Sequence, residues 1–233
     1  MCIVSYIPTQ NGFHLTSNRD EQVHRPTEAP KTYNYKGSEL IFPRDLEANG
    51  TWFAAHLKEK KVSCLLNAKG IFPDRTRRQS RGQLPLEYLS VKNFDLQQKV
   101  LTFYAPFLLI TLHYPDSGKE FTSFHWDGIQ LKKQELNPAL PYLWCSTSLY
   151  QVKESEMFQK LFQQTISEIK NLKQTLEFHR KVAQPRNSVN YLEKNKDIQT
   201  VSITNFTLND NTSQIQYIDL IEEKVQIEKL EVL

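Results

Sequence analysis

The chain has 233 residues, of which 39% are hydrophobic and 24% are charged, with a formal net charge of +3. This length and composition suit one globular domain over residues 1–233 with a substantial core. They exclude a transmembrane segment, because no apolar run approaches the roughly 18 residues that cross a bilayer, and the small net charge does not argue for a nucleic-acid partner.

Cys2 stands directly behind Met1. Removal of Met1, which is usual before a small second residue, would leave a thiol and a free α-amine on one residue. A thiol titrates near pH ~8.5 and an α-amine near ~7.7 to 8.0, so the amine can act as the base for the thiol. Cys2 is therefore a candidate N-terminal nucleophile. The alternative is a buried strand cysteine, which behaves as a small hydrophobe.

Two strand patterns at the start of the chain predict an antiparallel hairpin. Residues 2–7 are β-branched and aromatic, residues 8–12 have turn chemistry, and residues 13–17 alternate between apolar and polar. With a five-residue loop, this pairing places Cys2 opposite Asn18.

The polar tetrapeptide Asn18-Arg19-Asp20-Glu21 follows on the second strand. In this register Asp20 falls on the same face as Asn18, because side chains alternate along a strand. Arg19 points to the other face unless the chain bends or the loop is one residue shorter. We therefore expect this segment to converge on Cys2; a solvated strand end is the alternative.

Strand patterns recur along the rest of the chain and are interrupted by helical ones. Predicted strands cover residues 51–57, 62–67, 107–114, 120–126, 198–208 and 214–221. Helical spacing of apolar residues predicts helices at about 83–91, 157–172 and 174–183. Strand runs with segregated helices indicate an α+β fold with mainly antiparallel sheets.

Arg75, Arg77, Arg78 and Arg81 form the densest cationic feature. It lacks the interleaved aromatic residues that stack on bases, so a solvated loop or a site for an anionic small molecule are the alternatives to nucleic acid. The six histidines and three cysteines have no metal-ligand spacing, so we expect no metal and no cofactor. An odd number of cysteines suits the reducing cytoplasm.

The opening Met-Cys and the tetrapeptide resemble the NRDE family, the transport and Golgi organisation protein two group, which is named for these four residues. Shorter matches to the family pattern are Gly50-Thr51-Trp52, Leu66-Asn67 and Ser80-Arg81-Gly82. The resemblance covers roughly the first 150 residues. It implies a likeness to N-terminal-nucleophile hydrolases of the penicillin V acylase and bile salt hydrolase type, which cleave linear amide bonds other than the peptide backbone.

That likeness implies a four-layer αββα sandwich of two mainly antiparallel sheets. It also implies that Cys2 attacks a carbonyl, that Arg19 and Asp20 orient its thiol and amine, and that a strand-end amide stabilises the oxyanion. The implied catalytic residues are Cys2, Asn18, Arg19, Asp20 and Asn67, and the implied substrate-binding residues are Arg81 and Thr147.

The sequence departs from the family pattern at two places. Thr147 stands where the family has asparagine, and residues 196–200 lack an expected arginine. These departures favour a second hypothesis, a non-catalytic binding or trafficking protein of the same fold that handles haem or acyl-lipid ligands. Under either hypothesis we expect a cytoplasmic protein with a small-molecule partner.

Overall fold

The computed structural model describes residues 2–71, 79–92, 94–96, 101–183, 198–210 and 212–231. Its strands are β1 (Cys2–Thr9), β2 (Gly12–Gln22), β3 (Thr27–Tyr35), β4 (Ser38–Asp45), β5 (Phe53–His56), β6 (Lys61–Asn67), β7 (Phe107–His113), β8 (Glu120–Trp126), β9 (Leu131–Glu135), β10 (Tyr142–Cys145), β11 (Ile198–Asn209), β12 (Thr212–Asp219) and β13 (Lys224–Glu231). The helices are α1 (Leu84–Ser90), α2 (Val152–Thr165) and α3 (Leu172–Val182), and a 3-10 turn (Arg81–Gln83) precedes α1.

The strands form two antiparallel sheets, as the sequence predicted. The six-stranded sheet has the order β10-β1-β2-β11-β12-β13, and the seven-stranded sheet runs from β3 to β9 in chain order. The sequence patterns missed β3, β4, β9, β10 and β13. Pro30 lies in β3, an edge strand whose pairing with β4 is interrupted between Glu28 and Lys31, and proline is confined to such edge or irregular positions.

The register of the first hairpin differs from the prediction by one residue. Thr9 pairs with Gly12, so the loop has two residues instead of five, and Cys2 pairs with Arg19 instead of Asn18. The predicted loop was wrong because Pro8 and Gly12, which resemble turn residues, both belong to strands. Glycine is required at position 12, because an added Cβ would lie 1.9 Å from the Leu208 carbonyl oxygen of the neighbouring strand.

This register divides β2 between two surroundings. One face packs toward the seven-stranded sheet and carries Phe13, Leu15, Ser17 and Arg19, and the other packs toward the helices and carries His14, Thr16, Asn18 and Asp20. All eight side chains are buried. A shift of one residue exchanges the two sets, because the side-chain period of a strand is two.

Four hydrophobic clusters make up the core of the described residues, and three of them locate its layers. The largest joins residues of both sheets, including Phe13, Phe53 and Phe206. A second lies between the six-stranded sheet and the pair α2 and α3, where Phe158 and Phe178 are buried. A third places α1 against β4 and β5 of the other sheet. None of the described helices has the length and apolar character needed to cross a membrane.

The predicted helices are present with shifted ends. The helix predicted at 157–172 begins earlier, at a capping box formed by Gln151 and Glu154, and it ends at Thr165. The next helix, α3, begins after Asn171, whose side chain accepts from the Gln174 N–H. The residues that start both helices are polar, so the spacing of apolar residues does not predict where the helices begin.

Candidate functional site

A cleft of about 480 Å³ lies where the end of β2 meets the seven-stranded sheet. Residues from several separate segments contribute side chains to it. They include Arg19, Arg25, Asp45, Trp52, Asn67 and Arg81. Three of these are residues that the sequence predicted for the site: Arg19, Asn67 and Arg81.

Arg19 is the buried cation of the cleft, with a side-chain exposure of 3%. Its Nη2 donates to Asp45 Oδ2 at 2.8 Å, and its guanidinium carbon lies 4.5 Å from the centre of the Trp52 ring. Its Nη1 has no hydrogen-bond partner among the described residues. The backbone of Arg19 pairs with that of Cys2. The guanidinium is thus fixed by a hydrogen bond and a ring contact, while its Nη1 has no partner among the described residues.

Asp45 holds this arrangement together. Its carboxylate also accepts from Arg25 Nε at 2.7 Å and from the backbone N–H groups of Glu47 and Ala48 at 3.1 and 2.9 Å. Burial raises the pKa of Asp45, but the hydrogen bond from Arg25, the Ala48 N–H and the charge of Arg19 outweigh it and leave this pKa below its usual range. Asp45 is therefore a carboxylate that links the two sheets at the cleft.

Two glycines bring Arg81 to the same cleft. A Cβ added to Gly50 would lie 2.7 Å from the Gly82 carbonyl carbon, and the Thr51 N–H donates to the Gly82 carbonyl at 2.9 Å. Arg81 Nη1 donates to the carbonyl of Pro106 at 2.9 Å. The Gly-Thr-Trp and Arg-Gly motifs of the sequence are thus two halves of one close backbone contact.

Asn67 ends β6 and is half-buried in the cleft wall. Its carbonyl accepts from Ser146 Oγ at 2.6 Å, which ties it to the segment after β10. Thr147 lies in that segment and is exposed, and its hydroxyl oxygen accepts from the Lys69 N–H at 2.9 Å. Thr147 is thus close to Asn67 along this connection, with its hydroxyl oxygen engaged by the backbone.

Asn18 faces α3 instead of the cleft. Its Nδ2 donates to the His179 carbonyl at 3.0 Å, so its Oδ1 faces His179 Nδ1 at 2.6 Å. His179 Nδ1 must then carry the proton, and Nε2 accepts from Ser5 Oγ at 2.7 Å. Burial lowers the pKa of His179 to about 3, which keeps the ring neutral. Ser5, His179 and Asn18 resemble a catalytic triad, but all three are fully buried.

Asp20 also lies on the helix-facing side. The Tyr150 hydroxyl donates to its Oδ2, and Thr200 Oγ1 donates to its Oδ1 at 2.5 Å. Asp20 as a whole residue is 3% exposed. Asn18 and Asp20 are therefore separated from Arg19 by the plane of the sheet, as strand alternation predicted. The predicted register was wrong in pairing Cys2 with Asn18, because Cys2 pairs with Arg19.

The family described as Transport and Golgi organisation 2 matches residues 1–226. The chain belongs to this family. The NRDE-family prediction is thereby confirmed.

Among solved structures, this Transport and Golgi organisation 2 family member is similar to an arginine-to-leucine variant of conjugated bile acid hydrolase from Clostridium perfringens. The two share 10% sequence identity with a TM-score of 0.57, and the match covers 99% of this chain and 97% of that chain. At this identity the similarity shows the fold alone. None of the curated proteins matches the chain.

Sequence reasoning missed several residues that shape the site of this family member. Asp45 and His179 contact the tetrapeptide from 26 and 161 residues away. No local pattern marks such partners, since each is a polar residue in an otherwise ordinary strand or helix. Residues 196 and 197 of the segment that lacks the expected arginine lie outside the described residues, as do the arginines at positions 75, 77 and 78.

Proposed function

We propose that this protein is an N-terminal-cysteine amidohydrolase in which Cys2, after removal of Met1, is the nucleophile. The observation that carries the proposal is the pairing of Cys2 with Arg19 at a cleft that also contains Asn67. A neighbouring guanidinium favours the thiolate over the thiol, and the α-amine of Cys2 would accept the thiol proton. Asn67 would donate to the oxyanion that forms when a carbonyl is attacked.

The two remaining predicted residues would act through the fold and the local charge. Asp20 would favour the ammonium form of the Cys2 amine. Asn18 would hold the end of β2 in place through His179, because its amide is satisfied on the helix-facing side. Both roles concern the position and charge of the N-terminal residue and do not require contact with the substrate.

The substrate we propose is a small molecule with a linear, non-peptide amide and an anionic end. Arg19, Arg25 and Arg81 line the cleft together with the acids Glu21 and Asp45. Asp45 is already shared by two of the arginines. A carboxylate-bearing ligand is therefore favoured over a cationic one. Arg81 in the cleft wall would bind it, and Thr147 lies next to Ser146, which binds the Asn67 carbonyl.

We also propose that residues 1–233 form a single domain with a four-layer αββα arrangement. The proposed location of the protein is the cytoplasm. The four-layer arrangement is supported by the packing of α1 on one sheet and of α2 and α3 on the other. The similarity across 99% of the chain to one hydrolase structure also supports it.

A mass measurement and a thiol-directed acylating probe test the proposal. The intact mass should correspond to the chain without Met1, and Cys2 should react at least about 10-fold faster than Cys64 and Cys145. A panel of acyl amides with and without a terminal carboxylate would identify substrates, and Cys2→Ala should abolish their hydrolysis. Retained Met1 together with a slow Cys2 would contradict the hydrolase.

The second candidate is a non-catalytic binding or trafficking protein for haem or acyl-lipid ligands. It is favoured by Thr147, which replaces an amide and whose oxygen accepts from the Lys69 backbone. Binding of hemin or of a fatty acid, followed by tryptophan fluorescence, would distinguish the two. A ligand that binds equally well to the wild type and to Cys2→Ala, with no amide hydrolysed, would support this candidate.

A further inference from the structure

The face of the six-stranded sheet that packs against the other sheet changes from apolar to polar toward the cleft. On β2, Phe13 and Leu15 are followed by Ser17 and Arg19. On β11, which runs antiparallel to β2, the same change occurs in the opposite chain direction, from Phe206 to Thr204 and Ser202. An apolar core needs no such polar end, so the change requires a physical explanation.

The register gathers these polar residues into one place. Thr204 pairs with Ser17, and Ser202 pairs with Arg19, so the four side chains are neighbours on one face of the sheet. Ser17, Ser202 and Thr204 have no solvent exposure, and Arg19 has 3%. We call Ser17, Arg19, Ser202 and Thr204 the inner polar patch.

Several polar atoms at this patch have no hydrogen-bond partner among the described residues. They include Ser17 Oγ, Thr204 Oγ1 and Arg19 Nη1, together with Nε1 of Trp52, the ring that lies against the Arg19 guanidinium. A buried polar atom without a partner loses its hydration and gains nothing in return, so native proteins contain few of them. Their concentration beside one cleft indicates that something outside the described side chains satisfies them.

The donor set defines the chemistry of that occupant. Arginine and tryptophan nitrogens can only donate hydrogen bonds, whereas the two hydroxyls can donate or accept. The occupant must therefore present oxygen lone pairs to Arg19 and Trp52. Because Arg19 and Trp52 also line the cleft, an oxygen-bearing group can approach the patch from there.

We propose that the inner polar patch is an internal oxygen-binding site continuous with the cleft. It holds ordered water in the free protein and takes the carbonyl or carboxylate oxygen of a ligand that enters the cleft. The proposal does not rest on the chemistry of Cys2, because each of its donors belongs to another residue. It would hold equally for an enzyme and for a binding protein.

Isosteric substitutions test the site through the sign of a stability change. Thr204→Val and Ser17→Ala should each lower the thermal unfolding midpoint by about 2–5 °C, because a hydroxyl that binds water loses that hydrogen bond. The matched control is Tyr114→Phe. The Tyr114 hydroxyl also has no partner among the described residues, but the Tyr114 ring packs against Phe13 and Phe206 in the apolar part of the core. Removal of this hydroxyl should therefore leave the midpoint unchanged or raise it.

A crystal structure of the free protein and one soaked with sodium hexanoate would identify the source of the oxygen. Water within hydrogen-bond distance of Ser17 and Thr204, or a hexanoate oxygen on Arg19 Nη1, supports the proposal. The same outcome is expected in Cys2→Ala, which separates this test from the proposed hydrolysis. If Thr204→Val and Ser17→Ala raise the midpoint as Tyr114→Phe does, and the patch contains neither oxygen, the proposal is overturned.

Discussion

The side chains of the family tetrapeptide lie on two faces of β2, and the two faces differ in how their hydrogen bonds are made. On the helix-facing side, Asn18 and Asp20 have their polar atoms engaged by His179, Tyr150 and Thr200. On the cleft side, Arg19 is held by Asp45 and still has a free Nη1 donor within the described structure.

This difference separates two kinds of buried polar residue. A side chain whose hydrogen bonds are all made within the protein stabilises the fold, and a buried donor that remains unpaired is available to a ligand. Substitutions on the helix-facing side should therefore act mainly on stability, and those on the cleft side mainly on binding and reactivity.

The largest effect on stability is expected for His179→Ala. The change removes a fully buried ring, leaves a cavity beside Phe178, and deprives Ser5 and Asn18 of a partner. We expect a loss of about 3–5 kcal/mol in the free energy of unfolding, measured by chemical denaturation. His24→Ala, in an exposed turn, is the control and should change it by about 0.5 kcal/mol or less. Equal effects of the two substitutions would contradict a stabilising role for this face.

The helix-facing side should also make stability dependent on pH. Burial lowers the pKa of His14 to about 4 and that of His179 to about 3, below the roughly 6.5 of an exposed imidazole. The unfolded chain then binds protons more tightly than the folded one. The contribution is complete above pH ~6.5 and is lost as the pH falls toward the folded values, by up to about 1.4 kcal/mol per pH unit for each histidine.

His14→Leu isolates one of these two contributions. His14 Nδ1 lies 2.8 Å from Thr207 Oγ1, which itself donates to Asn205, so the hydroxyl keeps a partner in the variant. The free energy of unfolding, measured between pH 4.5 and 7, should fall less steeply with acidification in His14→Leu than in the wild type. Parallel curves would show that His14 is accessible to protons in the folded protein.

The sequence predicted the sheet composition of the fold better than the pairing of β2 with β1, which is shifted by one residue. Alternation identifies faces when one of them is apolar, but Ser17 and Arg19 interrupt the apolar series that Phe13 and Leu15 begin. The predicted pairing therefore depended on the length of the loop. Gly12 was counted as a loop residue, although the close Leu208 carbonyl is what requires a glycine at this position.

The candidate site was predictable to the extent that its residues lie in local motifs. Arg19, Asn67 and Arg81 belong to short family patterns and meet at the cleft. Asp45 and His179 do not, because their contacts are made by the folding of distant segments. A sequence pattern carries no information about a partner that only the tertiary structure brings near.

On the cleft side, an intermediate effect is expected for Gly50→Ala. The new methyl group would meet the Gly82 backbone at 2.7 Å, and a backbone atom cannot move aside as a side chain can. We expect a loss of about 1–3 kcal/mol in stability and a displaced Arg81, measured by denaturation and by the affinity for a carboxylate ligand. Gly37→Ala is a contrasting control, since its added Cβ meets no atom within 4 Å although its φ of +84° is unfavourable for alanine. Unchanged ligand affinity in Gly50→Ala would indicate that Arg81 does not bind the ligand.

The smallest effect on stability, and the sharpest test of the comparison, is expected for Arg19→Met. Asp45 keeps Arg25 and two backbone N–H donors in this variant, so its carboxylate is not left unpaired, and methionine retains much of the contact with Trp52. Stability should therefore fall by only about 1 kcal/mol, whereas the rate of Cys2 acylation by a thiol-directed probe should fall at least about 10-fold. Arg25→Met is the matched control, because it removes the other arginine of Asp45 and leaves Arg19 in place, so the acylation rate should change less. If Arg19→Met unfolds the protein as readily as His179→Ala while Cys2 in the remaining folded fraction reacts normally, the two faces of β2 do not differ in the way that their hydrogen bonds indicate.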